Sequence, residues 1–223
     1  MKVIECAQRS PEWFAARLGK LTGSRAADML ASVKSGEAAA RRDLRVQLVI
    51  ERLTGVGQEN SYMNAEMVRG VELEPAARAA YELLTGRMVL EHGFCQHDTL
   101  QAGCSPDGIV PDEDTLVSLK CPKSATHLRY LRTGTMPTDY VPQMLHELWI
   151  TGARFYDFLS YDDRFSGPLE SLRVFHVRVL RNDEAVEDYA KKAIAFLDEI
   201  DRECEAVSTM ANLSGQMAAA VGQ

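Results

Sequence analysis

Apolar and polar positions change rhythm twice along this chain. Ser10 stands before Pro11-Glu12-Trp13-Phe14, a capping hydroxyl with a proline at the first helical position, and this predicts a short helix. Thr22 or Ser24 can cap a second helix over residues 26–33, with Gly36 fitting its end. Leu44, Leu48, Val49 and Leu53 recur at helical spacing within residues 38–53. Residues 64–84 repeat that spacing and stop at Thr85-Gly86. The period then shortens. Residues 88–94, 100–104 and 115–121 are short apolar or β-branched runs, separated by the turn signals Pro106-Asp107-Gly108 and Pro111-Asp112. Helical spacing returns over residues 140–151. Residues 155–161 and 172–180 read as strands, the second alternating only in part. Residues 183–207 form a long amphipathic pattern with Val186, Tyr189, Ala190, Ala193, Ile194, Leu197 and Ile200 on one face. Residues 208–223 are small and polar, and disorder is expected there. Leading helices, a hairpin-rich middle and a closing helix predict a single α+β domain over residues 1–207, with a central mixed β-sheet flanked by helices.

Length and composition agree with that picture. A chain of 223 residues suffices for one well-cored domain, and 46% hydrophobic with 26% charged residues is ordinary for a soluble protein. Residues 1–8 hold one Lys and no apolar run, and no stretch is long and apolar enough for a membrane span. A cytoplasmic location is expected. Cys6, Cys95, Cys104, Cys121 and Cys204 are far apart with no CxxC pair, which argues against a thiolate zinc site and a disulfide framework. Separate reduced thiols in or near the core are expected. His92, His97, His127, His146 and His176 make no HxxxH or HExxH pair and are expected at the surface or behind a site. A metal in this chain is therefore expected to be a hard cation held by oxygens. The net charge of −7 argues mildly against a nucleic-acid partner. A carboxylate-built cation site is acidic by construction, however, so charge alone does not settle the partner.

Candidate chemistry gathers at Cys104-Ser105-Pro106-Asp107-Gly108 and Ser118-Leu119-Lys120-Cys121-Pro122. A strand placing residues 118 and 120 on one face, next to a turn carrying Asp107, brings Asp107, Ser118 and Lys120 together. Phosphodiester hydrolysis uses such a set: carboxylates hold Mg²⁺ or Mn²⁺, and a Lys orients the attacking water. The same spacing also fits a plain hairpin with an Asp-Gly turn and a surface Lys.

Pro-Asp, a spacer and (Asp/Glu)-x-Lys form the signature of the PD-(D/E)xK nuclease superfamily. Within it, the chain resembles the phage lambda exonuclease-like, YqaJ-type viral recombinases. Ser105–Gly108 and Leu119–Pro122 look like that branch in context, and further blocks follow in the same order. These are Trp13 with Arg17-Leu18-Gly19 and Thr22-Gly23-Ser24; Gly70-Val71-Glu72-Leu73-Glu74-Pro75-Ala76-Ala77-Arg78; and Tyr140-Val141-Pro142-Gln143 running on to Trp149.

The resemblance implies a restriction-endonuclease-like core within about residues 60–180 and a role for each matched residue. Asp107 is the central metal ligand, beside the Leu119 carbonyl, with Ser118 at the position of the second acid. Lys120 orients the attacking water or steadies developing charge. Glu74 adds a carboxylate, directly or through metal-bound water, although Glu72 beside it is an even rival. Gln143 holds metal water or the scissile phosphate, or else merely solubilises its helix. Arg17, Ser24, Ser105 and Thr22 hold a terminal 5′ phosphate, with Arg17 open also to a surface role. The implied activity is a Mg²⁺-dependent (or Mn²⁺-dependent) 5′→3′ exonuclease on linear double-stranded DNA, leaving 3′ single strands for recombination by strand annealing. The resemblance further implies DNA ends as substrate, a homotrimeric ring, an annealing-protein partner and a phage or prophage origin in a bacterial host. Arg41, Arg42, Arg45, Lys123, Arg129 and Arg132 are candidates for the basic walls of such a ring, or for solvated helix faces.

Ser118 departs from the signature, which has Asp or Glu there. A neutral hydroxyl costs the site one anionic ligand. Three explanations stand: a deliberate inactivating substitution, a natural enzyme that uses Ser118 with help from another acid, or a DNA-end-binding relative that no longer cuts. An endonuclease of the same superfamily is a further alternative. Restoring Glu at 118 is expected to raise metal affinity.

Overall fold

The computed structural model describes residues 1–58 and 65–221. Ser10 caps α1 (Pro11–Arg17), its hydroxyl accepting the Trp13 amide at 3.2 Å. The second helix is shorter than expected. A 3-10 turn at Gly23–Arg25 leads into α2 (Ala26–Met29), and Thr22 makes no side-chain cap bond. Ala26 and Met29 are buried but Val33 is exposed, so nothing holds a further turn. α3 (Ala39–Thr54) buries Leu44, Leu48 and Val49 and ends at Gly55, whose φ of 69° suits a left-handed cap. α4 (Ala65–Thr85) stops at Gly86 as predicted; the expected start at Asn64 lies outside the described residues.

Among the described residues, the expected central sheet is divided into two mixed sheets. The first holds β1 (Lys2–Ile4), β2 (Leu21–Thr22), β3 (Phe94–Gln96) and β4 (Ala102–Cys104), in the order β1-β3-β4-β2. The second holds β5 (Gly108–Val110), β6 (Thr115–Lys120), β7 (Phe155–Tyr161) and β8 (Val174–Leu180), in sequence order. β2 with β4, and β6 with β7, run parallel; the other pairs are antiparallel. The chain leaves one sheet at Cys104 and enters the other at Gly108, and Pro106 between them has no amide to extend a ladder. Of residues 88–94, only Leu90 (a bridge to Ile109) and Phe94 pair.

Among the described residues, three further α-helices follow: α5 (Ser124–Thr133), α6 (Val141–Thr151) and α7 (Asp183–Val221). The sequence reading did not anticipate α5. α7 runs past residue 207, where a disordered tail was expected, because Met210, Ala211 and Leu213 are good helix formers and no proline intervenes. Residues 222–223 of that tail lie outside the described residues.

Side-chain alternation along β6 and β7 sets up two faces. Leu116, Tyr156 and Phe158 pack with Met144 and Leu148 of α6, while Val117, Leu119, Leu159 and Tyr161 pack with Ala77 and Tyr81 of α4. Ser118 and Lys120, in phase with Leu116, therefore belong to the α6 face. A third core joins the first sheet to α2, α3, α6 and α7 through Leu21, Leu44, Leu48, Phe196 and Leu197.

Two expectations about polar residues are corrected. His127 and His146 are fully buried crosslinks: His127 meets Ser160 Oγ at 2.7 Å and the Leu172 carbonyl at 2.8 Å, and His146 meets the Tyr189 hydroxyl at 2.8 Å and the Gly103 carbonyl at 3.0 Å. Arg41 and Arg45 tie α3 to α7 through Glu199 and Glu203 and to the preceding loop through Glu37, so their guanidinium groups serve the fold. Lys123 pairs with Glu66 at the surface, and Arg42 with its neighbour Asp43.

Candidate active site

The β5–β6 pairing sets Gly108 opposite Val117, which brings the residue before Gly108 level with the next positions of β6. Asp107 Oδ2 accepts the Leu119 amide at 2.8 Å, the Lys120 ammonium at 3.2 Å and the Ser118 hydroxyl at 3.4 Å. Gly108 allows this close passage, since a Cβ there would stand 2.2 Å from Val89 Cγ1. The three residues expected together on strand alternation are thus assembled.

Two helices reach the same cluster from opposite sides of the sheet. From α4, Glu74 comes within 3.6 Å of Arg78 and 3.8 Å of Arg9, while Arg78 also donates to the Asp107 carbonyl at 3.3 Å. Burial and the neighbouring Asp107 charge push the Glu74 carboxyl above its ordinary range, against the pull of Arg9, Arg78 and Lys120. Glu72 is exposed instead, so Glu74 is the acid placed at the cluster. A cleft of about 760 Å³ passes Glu74 between Arg9, Arg78 and His92.

From α6 comes a residue that sequence reasoning missed. Gln143 donates to Glu147 Oε1 at 2.7 Å, and Glu147 is only 2% exposed. Its Oε2 and the adjacent Tyr156 hydroxyl are both buried without a partner at hydrogen-bonding geometry, though the two groups act on each other's ionisation. Burial first, and then the Asp107 charge, push the Glu147 carboxyl up to about 7, with Gln143 and Lys120 opposing. Burial also works against the Lys120 ammonium, but Asp107, Glu147 and Tyr140 more than offset it and the net shift is upward. Lys120 therefore stays charged among these acids.

The proposed phosphate-holding set also comes together. Arg17 lies 3.5 Å from Thr22 Oγ1, which lies 3.4 Å from Ser24 Oγ. The Arg17 guanidinium stacks 4.0 Å from the centroid of the Trp13 ring, and the Trp13 indole donates to Ser105 Oγ at 2.7 Å. Gly23, between Thr22 and Ser24, packs against α6: a Cβ there would stand 3.2 Å from Glu147 Oε1 and 3.6 Å from Gln143 Cγ.

Among the described residues, no three acids, histidines or cysteines already enclose a point as a cation would require. The donor chemistry nevertheless fits a hard cation. Asp107, Glu74 and Glu147 supply oxygen, and Glu147 holds a buried oxygen without a partner at hydrogen-bonding geometry.

Comparison with known proteins places this geometry in context. The family model of the YqaJ-like viral recombinase domain matches residues 12–154. The alkaline exonuclease LHK-Exo from Laribacter hongkongensis is 39% identical over 91% of this chain and 98% of its own, with a TM-score of 0.81. LHK-Exo in complex with dAMP matches over the same spans at a TM-score of 0.82. A phage-related exonuclease from Haemophilus somnus 129PT, at 14% identity and a TM-score of 0.63 over 86% of this chain and 96% of its own, shares the fold. No curated protein matches the sequence at comparable stringency.

Proposed function

Since this chain belongs to the YqaJ-like viral recombinase family, we propose that it is a metal-dependent 5′→3′ exonuclease on linear double-stranded DNA. The observation that carries this reading is the convergence of Leu119, Lys120 and Ser118 on one oxygen of Asp107, with Glu74 and Glu147 reaching in from opposite helices. Support also comes from LHK-Exo, an alkaline exonuclease at 39% identity, solved with a mononucleotide.

In this reading Asp107 and Glu74, with the Leu119 carbonyl, hold Mg²⁺ or Mn²⁺. The ion, when bound, supplies a Lewis acid for the scissile phosphate and a water of lowered pKa. Lys120, fixed by Asp107 and stacked 5.6 Å from the Tyr140 ring centroid, orients the attacking water and steadies charge on the phosphate. Arg17, Thr22, Ser24 and Ser105 grip the terminal 5′ phosphate; a guanidinium with hydroxyl donors suits a dianion. Gln143 orients Glu147 by direct donation. The products are mononucleotides and a 3′ single strand, available to an annealing protein. Assembly into a homotrimeric ring belongs to the same proposal, and exposed Leu83, Leu84, Met88 and Leu90 offer an apolar surface for it.

The test is digestion of end-labelled linear duplex, with covalently closed circular duplex alongside. Cleavage of the linear form alone is expected, dependent on Mg²⁺ or Mn²⁺ and absent in EDTA and in Asp107→Ala. A 5′-phosphorylated end should be digested faster than a 5′-hydroxyl end, and Arg17→Ala should remove about 1.5–3 kcal/mol of that preference. Cutting of the circle would make the protein an endonuclease. Digestion undiminished in EDTA would remove the metal from the reading altogether.

A further inference from the structure

Position 118 and the buried face of α6 pose one problem between them. Ser118 is 1% exposed, lies on the α6 side of β6 and uses its hydroxyl on Asp107. An acidic side chain at 118 would extend into the space between β6 and α6. Glu147 already occupies that side: Tyr156, on the same face of the neighbouring strand β7, is close to both Ser118 and Glu147. One Glu147 oxygen is held by Gln143, the other is buried near the Tyr156 hydroxyl without hydrogen-bonding geometry to it, and Gly23 closes in from above with no side chain of its own. A carboxylate buried without the hydrogen bonds or paired charge that would satisfy it is costly, so it is retained where something else completes it. Lys120 stabilises it across space but makes no hydrogen bond to it; the Lys120 ammonium is directed to Asp107.

We propose that Glu147 is a metal ligand, the anionic oxygen donor that the strand position occupied by Ser118 does not supply. The acid has moved from the strand to the facing helix, and the donor set regains the charge that the serine costs it. This rests on the metal-dependent reading above and deepens it. It also reverses an expectation from sequence: Glu at 118 in the otherwise intact protein adds a third carboxylate to an enclosed space and brings no gain.

Mn²⁺ binding to the full-length protein by isothermal titration calorimetry, without DNA, tests this directly. The rise in melting temperature at saturating Mn²⁺ gives a second readout. Glu147→Gln keeps the shape and should weaken Mn²⁺ binding by roughly tenfold or more, with a correspondingly smaller thermal shift. Ser118→Glu alone should not tighten binding. Ser118→Glu combined with Glu147→Gln should recover much of what Glu147→Gln loses, because the acid is returned to the strand. Unchanged Mn²⁺ affinity in Glu147→Gln overturns the assignment, as does tighter binding in Ser118→Glu alone. A protein that binds Mn²⁺ through Glu147 yet degrades no DNA overturns the nuclease reading and leaves the ligand standing. Metal-dependent digestion that Glu147→Gln does not affect has the reverse meaning.

Discussion

Two buried carboxylates on opposite faces of the same strand pair meet opposite treatment. Asp157, on the α4 face of β7, accepts the Tyr81 hydroxyl at 2.6 Å and the Arg178 guanidinium at 2.8 and 2.9 Å, with His176 Nε2 3.4 Å away. Burial alone would raise its pKa, but His176, Arg178 and Tyr81 together hold it well below the usual carboxylate range. Glu147, on the α6 face, has one amide donor and a second oxygen without a partner at hydrogen-bonding geometry, and its carboxyl is pushed up to about 7. Both are closed to solvent, and burial works against the charged form of each. The difference lies largely in how completely the protein answers the charge, and that separates an acid that holds the fold from the one proposed to meet a cation.

The largest expected effect comes from removing the answered charge. Asp157→Asn leaves Arg178 facing a neutral amide beside Glu113 only, and should cost about 3 kcal/mol of stability, as breaking a buried pair does. Urea unfolding measures it, and equal midpoints for Asp157→Asn and the parent would erase the distinction between the two acids. Next in size is the pH response of the metal-free protein, where the two acids pull in opposite directions. Asp157 has a depressed folded pKa, so its contribution is present above the ordinary value of 3.8 and is lost as pH falls below it. Glu147 has a raised folded pKa, so the folded state binds the extra proton and stability declines as pH rises from 4.5 toward about 7. In Glu147→Gln that decline between pH 4.5 and 7 should flatten, and in the parent saturating Mn²⁺ should offset it; a slope identical in parent and variant would detach it from Glu147. The smallest expected effect is Tyr81→Phe. It removes one of several donors to Asp157 and should cost about 1.5 kcal/mol, the low end for a hydrogen bond to a charged group, with Mn²⁺ affinity untouched.

Asp107, Ser118 and Lys120 were legible because a strand has a period of two: once a turn at Pro106-Asp107-Gly108 and a strand at residues 115–121 were recognised, their meeting followed. Arg17, Thr22, Ser24 and Ser105 were found only through resemblance, since their association depends on the Trp13 indole reaching Ser105 across the chain. Glu147 is at none of the named positions of the matched sequence blocks and carries no motif of its own. Its signal was present: it follows Gln143 by one helical turn and stands between His146 and Leu148, both buried, in a helix whose other face is core. Pattern alone could not divide the strands into two sheets. β1 and β5 are three residues each, too short to show a period, and which strands become neighbours is decided by long-range packing.

Gly23 sets a length scale. Its backbone rests on Glu147 and Gln143 so closely that a methyl group would have to displace one of them by a few tenths of an ångström, and Thr22 and Ser24 are its immediate neighbours. The groups proposed to seize the end of a strand are therefore set beside the groups proposed to cut it, with the Gly23 backbone packed directly on the Glu147 and Gln143 side chains. In the proposed reading that placement acts as a ruler: a seated end would bring the same bond under the acids each time, and the spacing between the two sets of groups would fix the unit removed per cycle.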